Sequence, residues 1–270
     1  MKAIILAAGI GSRLHPLTDN CPKSLLKIDD KTILEIMISH IQDCNINEII
    51  FVIGYLENKI KEYVTTNFPD LKTHFVTNGK YTETNTGFSL LLAKDFVEDS
   101  DFIKFDADVV FDKEILKKLI ECSYDNALCI DKNTHLDAEE IKVIINDKNK
   151  ILKASKKIDP KKAIGESIGI EKIGKNTAKF LFQELEIMMK DKKNHQEYYE
   201  VAYERLIEKG ESFHALDITG LQWIEIDTKE DFDLAKNMQE ILKKCALKAI
   251  ISPNKEFQKS QFTPDPSWNF

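Results

Sequence analysis

Two glycines and two basic residues follow the first apolar run of the sequence, and together they suit the binding of phosphate. The apolar residues 3–8 lead directly into Gly9 and Gly11, and Arg13 and Lys23 lie in the segment that follows. Glycine has no Cβ, so its backbone N–H groups stay accessible to an anion. An arginine and a lysine in one loop supply the positive charge that a polyphosphate requires. A tight turn would explain the glycines, but it would not explain the two cations.

Two common phosphate-binding motifs fit this loop poorly. The P-loop pattern, Gly-x-x-x-x-Gly-Lys-Ser/Thr, has a different spacing. The dinucleotide-binding pattern, Gly-x-Gly-x-x-Gly, matches Gly9 and Gly11 but meets Leu14 at its third position. Asp29 lies about where the ribose-binding acid of that pattern is expected, but two prolines after the glycines disfavour the helix that the pattern requires. A long loop around a free polyphosphate is the interpretation that remains.

Asp106 and Asp108 follow a predicted strand over residues 101–105. In a parallel sheet this strand end shares an edge with the glycine loop. Mg²⁺ takes oxygen ligands and bridges protein carboxylates to substrate phosphates. Asp108 could instead cap a turn or the next helix, but its place beside the phosphate loop favours a Mg²⁺ site.

The segment LAAGIGSRLHPLTDNCPKSLL resembles the signature of the nucleotidyltransferases that activate sugar 1-phosphates and phospho-alcohols. The family pattern is Leu-Ala-Ala-Gly-x-Gly-x-Arg-Leu, then Pro-x-Thr, then Pro-Lys-x-Leu, and every fixed element is present. The resemblance extends to about residue 240. It implies that a phosphate monoester attacks the α-phosphorus of a nucleoside triphosphate and releases pyrophosphate, with Arg13 and Lys23 as catalytic residues. The nucleotide contacts that it implies are Leu6, Ala7, Ala8, Gly9, Gly11, Ser12, Asn78 and Asp106.

The same resemblance assigns the metal and the acceptor contacts. It implies that Asp227 joins Asp108 as a ligand of Mg²⁺, with Glu225 as a further ligand. From the residues alone, Asp227 could equally be the N-cap of the helix that follows. Lys156, chosen over Lys157 by motif alignment, is expected to bind the acceptor phosphate. The other acceptor contacts are expected from Asn85, Glu166, Tyr198 and Trp223.

The substrates are indicated by the closing block GLQWIEIDTKEDFDLA and by the short chain, which resemble cytidylyltransferases for phosphocholine and related small phospho-alcohols. We therefore expect CTP as the nucleotide. Trp223 and tyrosines 198, 199 and 203 could form a cation–π box for a quaternary ammonium, although such aromatics are otherwise core residues. Glu166, Glu197 or Glu200 could assist that box.

Other functions stay open at this point. Within the same enzyme class, the acceptor could be a hexose or inositol 1-phosphate, an aminoalkylphosphonate or an amino-acid phosphate. Outside it, a glycosyltransferase also uses Asp-x-Asp, and a nucleotide-binding protein could lack catalysis. The Gly-Arg-Pro-Lys loop suits a free triphosphate and speaks against the glycosyltransferase.

Composition sets broad limits on the function. The 270 residues carry a net charge of −7 and are 43% hydrophobic, as in a soluble globular enzyme or binding protein. The acidic balance argues against nucleic acid as the partner, and no apolar run is long enough for a membrane span. Five scattered cysteines without zinc-site spacing favour a reducing, cytoplasmic location. Oligomeric state is left open.

The order of apolar segments predicts an α/β fold: a Rossmann-like mixed, mainly parallel sheet with helices on both faces, plus a small β-rich subregion on the acceptor side. Strands are predicted at 3–8, 48–54, 74–77, 101–105, 126–130, 141–146, 151–154, 167–173, 213–218 and 223–226, and helices at 32–44, 57–66, 86–97, 175–190, 197–209 and 230–248. We expect one domain over residues 1–248, of the nucleotide-diphospho-sugar transferase type. It would comprise a nucleotide-binding half (1–125), an acceptor-binding half (126–228) and a closing helix (229–248), followed by a C-terminal tail (249–270).

Overall fold

A nine-stranded, mainly parallel sheet lies at the centre of the protein, in a computed structural model that describes residues 1–134 and 136–237. The strands are β1 Lys2–Ala7, β2 Lys27–Ile28, β3 Lys31–Thr32, β4 Glu48–Ile53, β5 Lys72–Thr77, β6 Phe102–Asp106, β7 Val109–Phe111, β8 Ala127–Asp131, β9 Lys142–Ile145, β10 Ile151–Ser155, β11 Gly165–Ile173, β12 His214–Asp217 and β13 Trp223–Glu225. The helices are α1 Ile33–Asp43, α2 Glu57–Asn67, α3 Thr86–Leu92, α4 Lys94–Val97, α5 Lys113–Glu121, α6 Lys175–Met189 and α7 Glu200–Glu208. A last helical segment occupies residues 229–237.

The topology of the sheet brings the glycine loop beside the aspartates. Strands β5, β4, β1 and β6 are neighbours in that order and run parallel. The long strand β11 runs antiparallel to β6 and also pairs with β8 and β9. Leu6 at the end of β1 pairs with Asp106 at the end of β6. The predicted fold class is confirmed, and strands from both sides of residue 125 belong to one sheet.

The sheet is buried on both faces, which explains its near-continuous apolar strands. On one face, the side chains of Ala3 and Ile5 pack into a core shared with α1, α2 and α5. On the other face, Ile4 and Leu6 pack into a core shared with α3, α4, α6 and α7. The core is therefore made by helices on both faces of the sheet, as the element order predicted.

A small second sheet joins the C-terminal strand to the end of the Asp106–Asp108 segment. Strands β7 and β13 are antiparallel, and Val109 pairs with Glu225. The backbone N–H of Ile226 donates to the backbone oxygen of Asp108 at 3.0 Å. Beneath this sheet, Leu14 of the glycine loop packs with residues of β7 and of the last helical segment. This packing holds three distant chain segments together at one edge of the main sheet.

Most predicted elements appear with small changes in their bounds, and two differ more. The helix predicted over 86–97 is two helices, α3 and α4. The helix predicted over 197–209 begins only at Glu200, because the backbone oxygen of Glu197 accepts the N–H of Gly87 and holds a turn there. Strands β2, β3 and β7 and helix α5 were not predicted.

Part of the predicted C-terminal region lies outside the residues that the structure describes. Residues 238–248 of the predicted closing helix and the tail over 249–270 lie outside the described residues.

Within the part of the chain that is described, no helix combines the length and the apolar character needed to cross a bilayer.

Candidate active site

A pocket of about 440 Å³ opens at the carboxyl ends of β1 and β6. The glycine loop, the Asp106–Asp108 segment and the end of β13 line one part of it, and residues from β11 and the start of α7 line another. The predicted site residues that line the pocket are Leu6, Ala7, Gly9, Gly11, Ser12, Arg13, Lys23, Asn85, Asp106, Asp108, Lys156, Glu166, Tyr198, Glu225 and Asp227. The topology thus brings together residues that are far apart in the sequence.

The glycine loop has the open backbone that the sequence predicted. Gly11 has a φ of +68°, and a Cβ there would lie 3.2 Å from the Cβ of Lys23, so this position favours glycine. Thr18 Oγ1 braces the loop by donating to the backbone oxygen of Gly11 at 2.9 Å. A Cβ at Gly9 would meet nothing within 4 Å. Among the described residues, the backbone N–H groups of Gly9, Gly11 and Ser12 have no acceptor, so they are available to an anion.

Lys23 lies between two of the predicted metal ligands. Its Nζ donates to Asp108 Oδ2 at 2.8 Å and to Asp227 Oδ1 at 2.7 Å, and its side chain is 13% exposed. Arg13 pairs with the other oxygen of Asp227. Burial acts to lower the pKa of Lys23, but the two adjacent carboxylates outweigh it and raise that pKa. Lys23 is therefore a permanent positive charge at the pocket.

The donor set of three carboxylates fits a hard divalent cation. Carboxylate oxygens of Asp108, Glu225 and Asp227 all lie within 4.8 Å of one another. Asp108 Oδ1 is buried and finds no hydrogen-bond partner among the described residues. Withdrawal from bulk water inside the pocket, together with repulsion from the two aspartates, raises the pKa of Glu225. Converging oxygen ligands of this kind are what Mg²⁺ binds in proteins.

The rival interpretation of both aspartates as helix caps is wrong. The N-cap of α5 is Asp112, whose side chain accepts the N–H of Glu114. At the last helical segment, Thr228 Oγ1 accepts the N–H of Asp231, and Asp231 Oδ2 accepts the N–H of Thr228. This reciprocal arrangement is a capping box. The side chain of Asp227 therefore does not cap the helix, and Asp227 lines the pocket instead.

A buried network of ion pairs and hydrogen bonds holds the side chain of Asp106 in position. Lys104 is fully buried, and its Nζ lies 2.8 Å from Asp106 Oδ2 and 2.7 Å from Glu171 Oε2. Tyr199 donates its hydroxyl to Asp106 Oδ2 at 2.8 Å. Burial raises the pKa of Glu171, and the neighbouring ammonium of Lys104 only partly opposes that effect. Sequence reasoning missed this network, although a lysine inside the apolar strand β6 was a visible sign of it.

Gly169 lets this network approach β11 closely. Its φ is +75°, and a Cβ there would lie 2.5 Å from Asp106 Oδ2. The pairing of β11 with β8 shifts register between Ser167 and Glu171, around this residue. The backbone oxygen of Gly169 also accepts from Lys104 Nζ at 3.1 Å. The glycine is thus needed for the position of Asp106 at the pocket.

A second part of the pocket, which we call the acceptor wall, is formed by residues 85–86, 139–141, 156, 166–167 and 198–200. Lys156 Nζ lies 4.8 Å from the ring centroid of Tyr198 and 3.7 Å from Glu139 Oε2. Glu166 accepts from Thr134 Oγ1 at 3.1 Å. Burial raises the pKa of Glu166 to about 7, and burial likewise raises the pKa of Glu200 to about 7.

Three predicted contacts do not line the pocket. Asn78 is 1% exposed, and its side-chain amide donates to the hydroxyls of Thr84 and Ser89, so it organises its own loop. Trp223 donates its indole N–H to Asp131 Oδ2 at 2.8 Å, away from the pocket. Ala8 is buried beneath the glycine loop.

The aromatic box also does not assemble as predicted. Tyr203 is buried in the core beside Phe213, with 5.2 Å between the ring centroids. Tyr198 and Tyr199 are the two members of the predicted box that line the pocket.

Comparisons with known proteins agree with this geometry. The family profile described as Nucleotidyl transferase matches residues 2–135. The CTP:phosphoglutamine cytidylyltransferase of Campylobacter jejuni is 33% identical over 256 residues, which are 87% of this chain and 98% of that protein. The choline-phosphate cytidylyltransferase of Streptococcus pneumoniae is 39% identical over 106 residues, 39% of this chain and 44% of that protein.

The fold agrees as well. The solved structure of CTP:phosphocholine cytidylyltransferase from Streptococcus pneumoniae superposes with a TM-score of 0.72 at 23% identity, covering 88% of this chain and 98% of that one. One relative is thus matched along nearly its whole length, and the signature loop lines the same part of the pocket as the three carboxylates. On these grounds the chain belongs to the nucleotidyltransferase family.

Proposed function

We propose that this nucleotidyltransferase transfers CMP from CTP to a small phosphorylated acceptor, phosphocholine or a related phospho-alcohol, and releases pyrophosphate. The observation that carries the proposal is the convergence of the glycine loop, Lys23 and three carboxylates on one face of a pocket whose other wall carries Lys156. Two similar proteins are named as cytidylyltransferases, one for phosphoglutamine and one for choline phosphate. Their names support CTP as the nucleotide and a small phosphorylated molecule as the acceptor.

The proposed reaction needs no general base. An oxygen of the acceptor phosphate forms a bond to the α-phosphorus of CTP, and the bond from that phosphorus to the β-phosphate oxygen breaks. A phosphate monoester has a second pKa of about 6, so the nucleophile is already a dianion near neutral pH. The enzyme must instead bring two anions together in line. In this proposal Lys23 and Arg13 neutralise the triphosphate, and Lys156 holds the acceptor phosphate.

We propose that Asp108, Asp227 and Glu225 hold Mg²⁺ during this reaction. When bound, the ion would neutralise charge on the phosphates and orient them. The chain's own contribution is the fixed placement of these carboxylates, which β7 and β13 bring together across more than a hundred residues of sequence.

One assay tests the proposed function. The purified protein is mixed with Mg²⁺, one of CTP, UTP, GTP, ATP or dTTP, and one acceptor from phosphocholine, phosphoethanolamine, 2-aminoethylphosphonate, inositol 1-phosphate or glucose 1-phosphate. We expect pyrophosphate release with CTP and a small phospho-alcohol. Release only with glucose 1-phosphate or only with another nucleotide would contradict the assignment of substrates, and no release at all would contradict the proposed reaction.

A separate prediction concerns Gly169. Gly169→Ala should lower the free energy of unfolding by more than about 1–2 kcal/mol, because an L-residue in the left-handed region is strained and its Cβ would also clash with Asp106. It should also lower the rate of nucleotidyl transfer, because the new Cβ displaces Asp106. Denaturant unfolding and pyrophosphate release measure the two effects.

Gly220→Ala is the matched control. Gly220 has a φ of +87°, but a Cβ there would meet nothing within 4 Å. We expect this variant to lose about 1–2 kcal/mol from backbone strain alone, less than Gly169→Ala, and to keep nearly normal activity. Equal activities of the two variants would show that Gly169 does not position Asp106.

A further inference from the structure

Three oxygen atoms on the acceptor wall lack hydrogen-bond donors. Glu200 Oε2, Ser167 Oγ and Thr86 Oγ1 are buried and find no partner among the residues that the structure describes. All three side chains line the pocket. Glu200 is only 6% exposed and Ser167 only 7%. Because a buried oxygen without a donor is unfavourable, these atoms point to a ligand that brings N–H or O–H donors.

The acceptor wall also carries more carboxyl groups than cationic groups. Its side chains include four glutamates and one lysine: Glu139, Glu140, Glu166, Glu200 and Lys156. If Lys156 is used by the acceptor phosphate, the remaining cation near Glu200 is the buried Lys104, which is already paired with Asp106 and Glu171. A positive group on the acceptor would balance the glutamates of the wall, and Glu200 is the one whose free oxygen is buried.

The aromatic rings favour one type of cation over another. The ring of Tyr199 already has Lys104 Nζ at 3.8 Å from its centroid, and the ring of Tyr198 has Lys156 Nζ at 4.8 Å. Trp223 does not line the pocket. A quaternary ammonium has no N–H donors and relies on free aromatic faces, whereas a primary ammonium has three N–H donors. The wall offers free oxygens rather than free rings.

We infer that the acceptor carries a primary ammonium group and that Glu200 is its counter-ion. The hydroxyls of Ser167 and Thr86 are available for its other N–H donors. The inference rests on the proposed function, because the ammonium belongs to the molecule that receives the nucleotidyl group. It narrows the phospho-alcohols and phosphonates to those that contain an amine, and it excludes phosphocholine as the preferred acceptor.

The test compares acceptors that differ only in the amine. Phosphoethanolamine is paired with n-propyl phosphate, 2-aminoethylphosphonate with n-propylphosphonate, and glucosamine 1-phosphate with glucose 1-phosphate; phosphocholine is run beside them. With CTP and Mg²⁺, we expect kcat/KM to be about 10- to 100-fold higher for the amine-containing member of at least one pair, the range for a charge-assisted hydrogen bond.

Glu200→Gln tests the residue itself. The change keeps the size of the side chain and removes its charge. It should lower kcat/KM for the preferred amine acceptor by about 10- to 100-fold, mainly through KM, and change the value for its amine-free partner by less than about 3-fold. Glu204→Gln is the matched control, because Glu204 lies one turn later on α7, also has a buried oxygen without a partner, and does not line the pocket.

The outcomes separate this inference from the proposed function. If amine-free acceptors or phosphocholine react as well as the amines, the inference is overturned and the proposed function stands. If Glu200→Gln lowers kcat/KM equally for the amine acceptor and for its amine-free partner, Glu200 serves only as a counter-charge for the buried Lys104. The inference is then also overturned. If no acceptor releases pyrophosphate, the proposed function fails and the inference fails with it.

Discussion

Lys23→Met is expected to lower kcat/KM for nucleotidyl transfer by about 10³-fold, the upper range for removing one preorganised charged donor. The reason is that the Lys23 ammonium sits at the glycine loop with its pKa raised, so it is charged whenever the triphosphate binds. Methionine keeps most of the aliphatic stem that packs beside Gly11. The loss should therefore reflect the missing charge rather than a changed loop.

The measurement is pyrophosphate release with saturating Mg²⁺, together with the thermal unfolding temperature of the same samples. We expect the unfolding temperature to stay within about 2–4 °C of wild type, because the two ion pairs that are lost, with Asp108 and Asp227, lie at the pocket rather than in the core. Lys27→Ala is the control, since Lys27 is exposed on β2 and does not line the pocket. Near-normal turnover by Lys23→Met would mean that this lysine is only a structural partner of Asp108 and Asp227.

The nucleotide side of the pocket could be predicted from the sequence because its signals are local. An apolar run followed by glycines, a basic residue and a proline-flanked lysine fixes a strand and the loop after it. The alternating order of elements then puts Asp106 on the same edge as Gly9, since carboxyl ends of parallel strands share an edge. The pairing of Leu6 with Asp106 confirms that step.

The acceptor side could be predicted only in part, because its geometry depends on long-range pairing. Strand β7 has three residues, too few for a periodic pattern, and it forms only by pairing with β13. Trp223 and Glu225 lie two residues apart on β13, which is about 7 Å along a strand. That distance leaves Glu225 at the pocket and places Trp223 beside Asp131 instead.

The partners of buried polar residues also could not be predicted from the sequence. Lys104 occupies a position in β6 where apolar neighbours suggest another core residue. Its partner Glu171 lies directly across from it on β11, but a single sequence does not reveal which strands are neighbours after residue 125. The unpaired oxygen of Glu200 is likewise a property of packing, so only the structure could distinguish it from the other glutamates.

Asp108→Asn is expected to weaken metal binding by at least about 10- to 100-fold, the loss typical of removing even an outer-shell partner of a ligand, and to lower kcat/KM at low Mg²⁺ by about 10²-fold. The amide keeps the size of the side chain and one oxygen, but it removes the negative charge that faces Glu225 and Asp227. A divalent cation is held chiefly by that charge. Raising the Mg²⁺ concentration should therefore recover part of the activity, which a purely structural defect would not allow.

Binding of Mn²⁺, followed by its electron paramagnetic resonance signal in the presence of CTP, measures the metal site independently of turnover. Asp112→Asn is the matched control on the same segment: Asp112 caps α5 outside the pocket, and asparagine caps a helix about as well. Wild-type Mn²⁺ affinity in Asp108→Asn would remove Asp108 from the metal site. In that case the contact of Lys23 with Asp108 would be an ion pair that only orders the loop, because no metal ion would then bind that carboxylate.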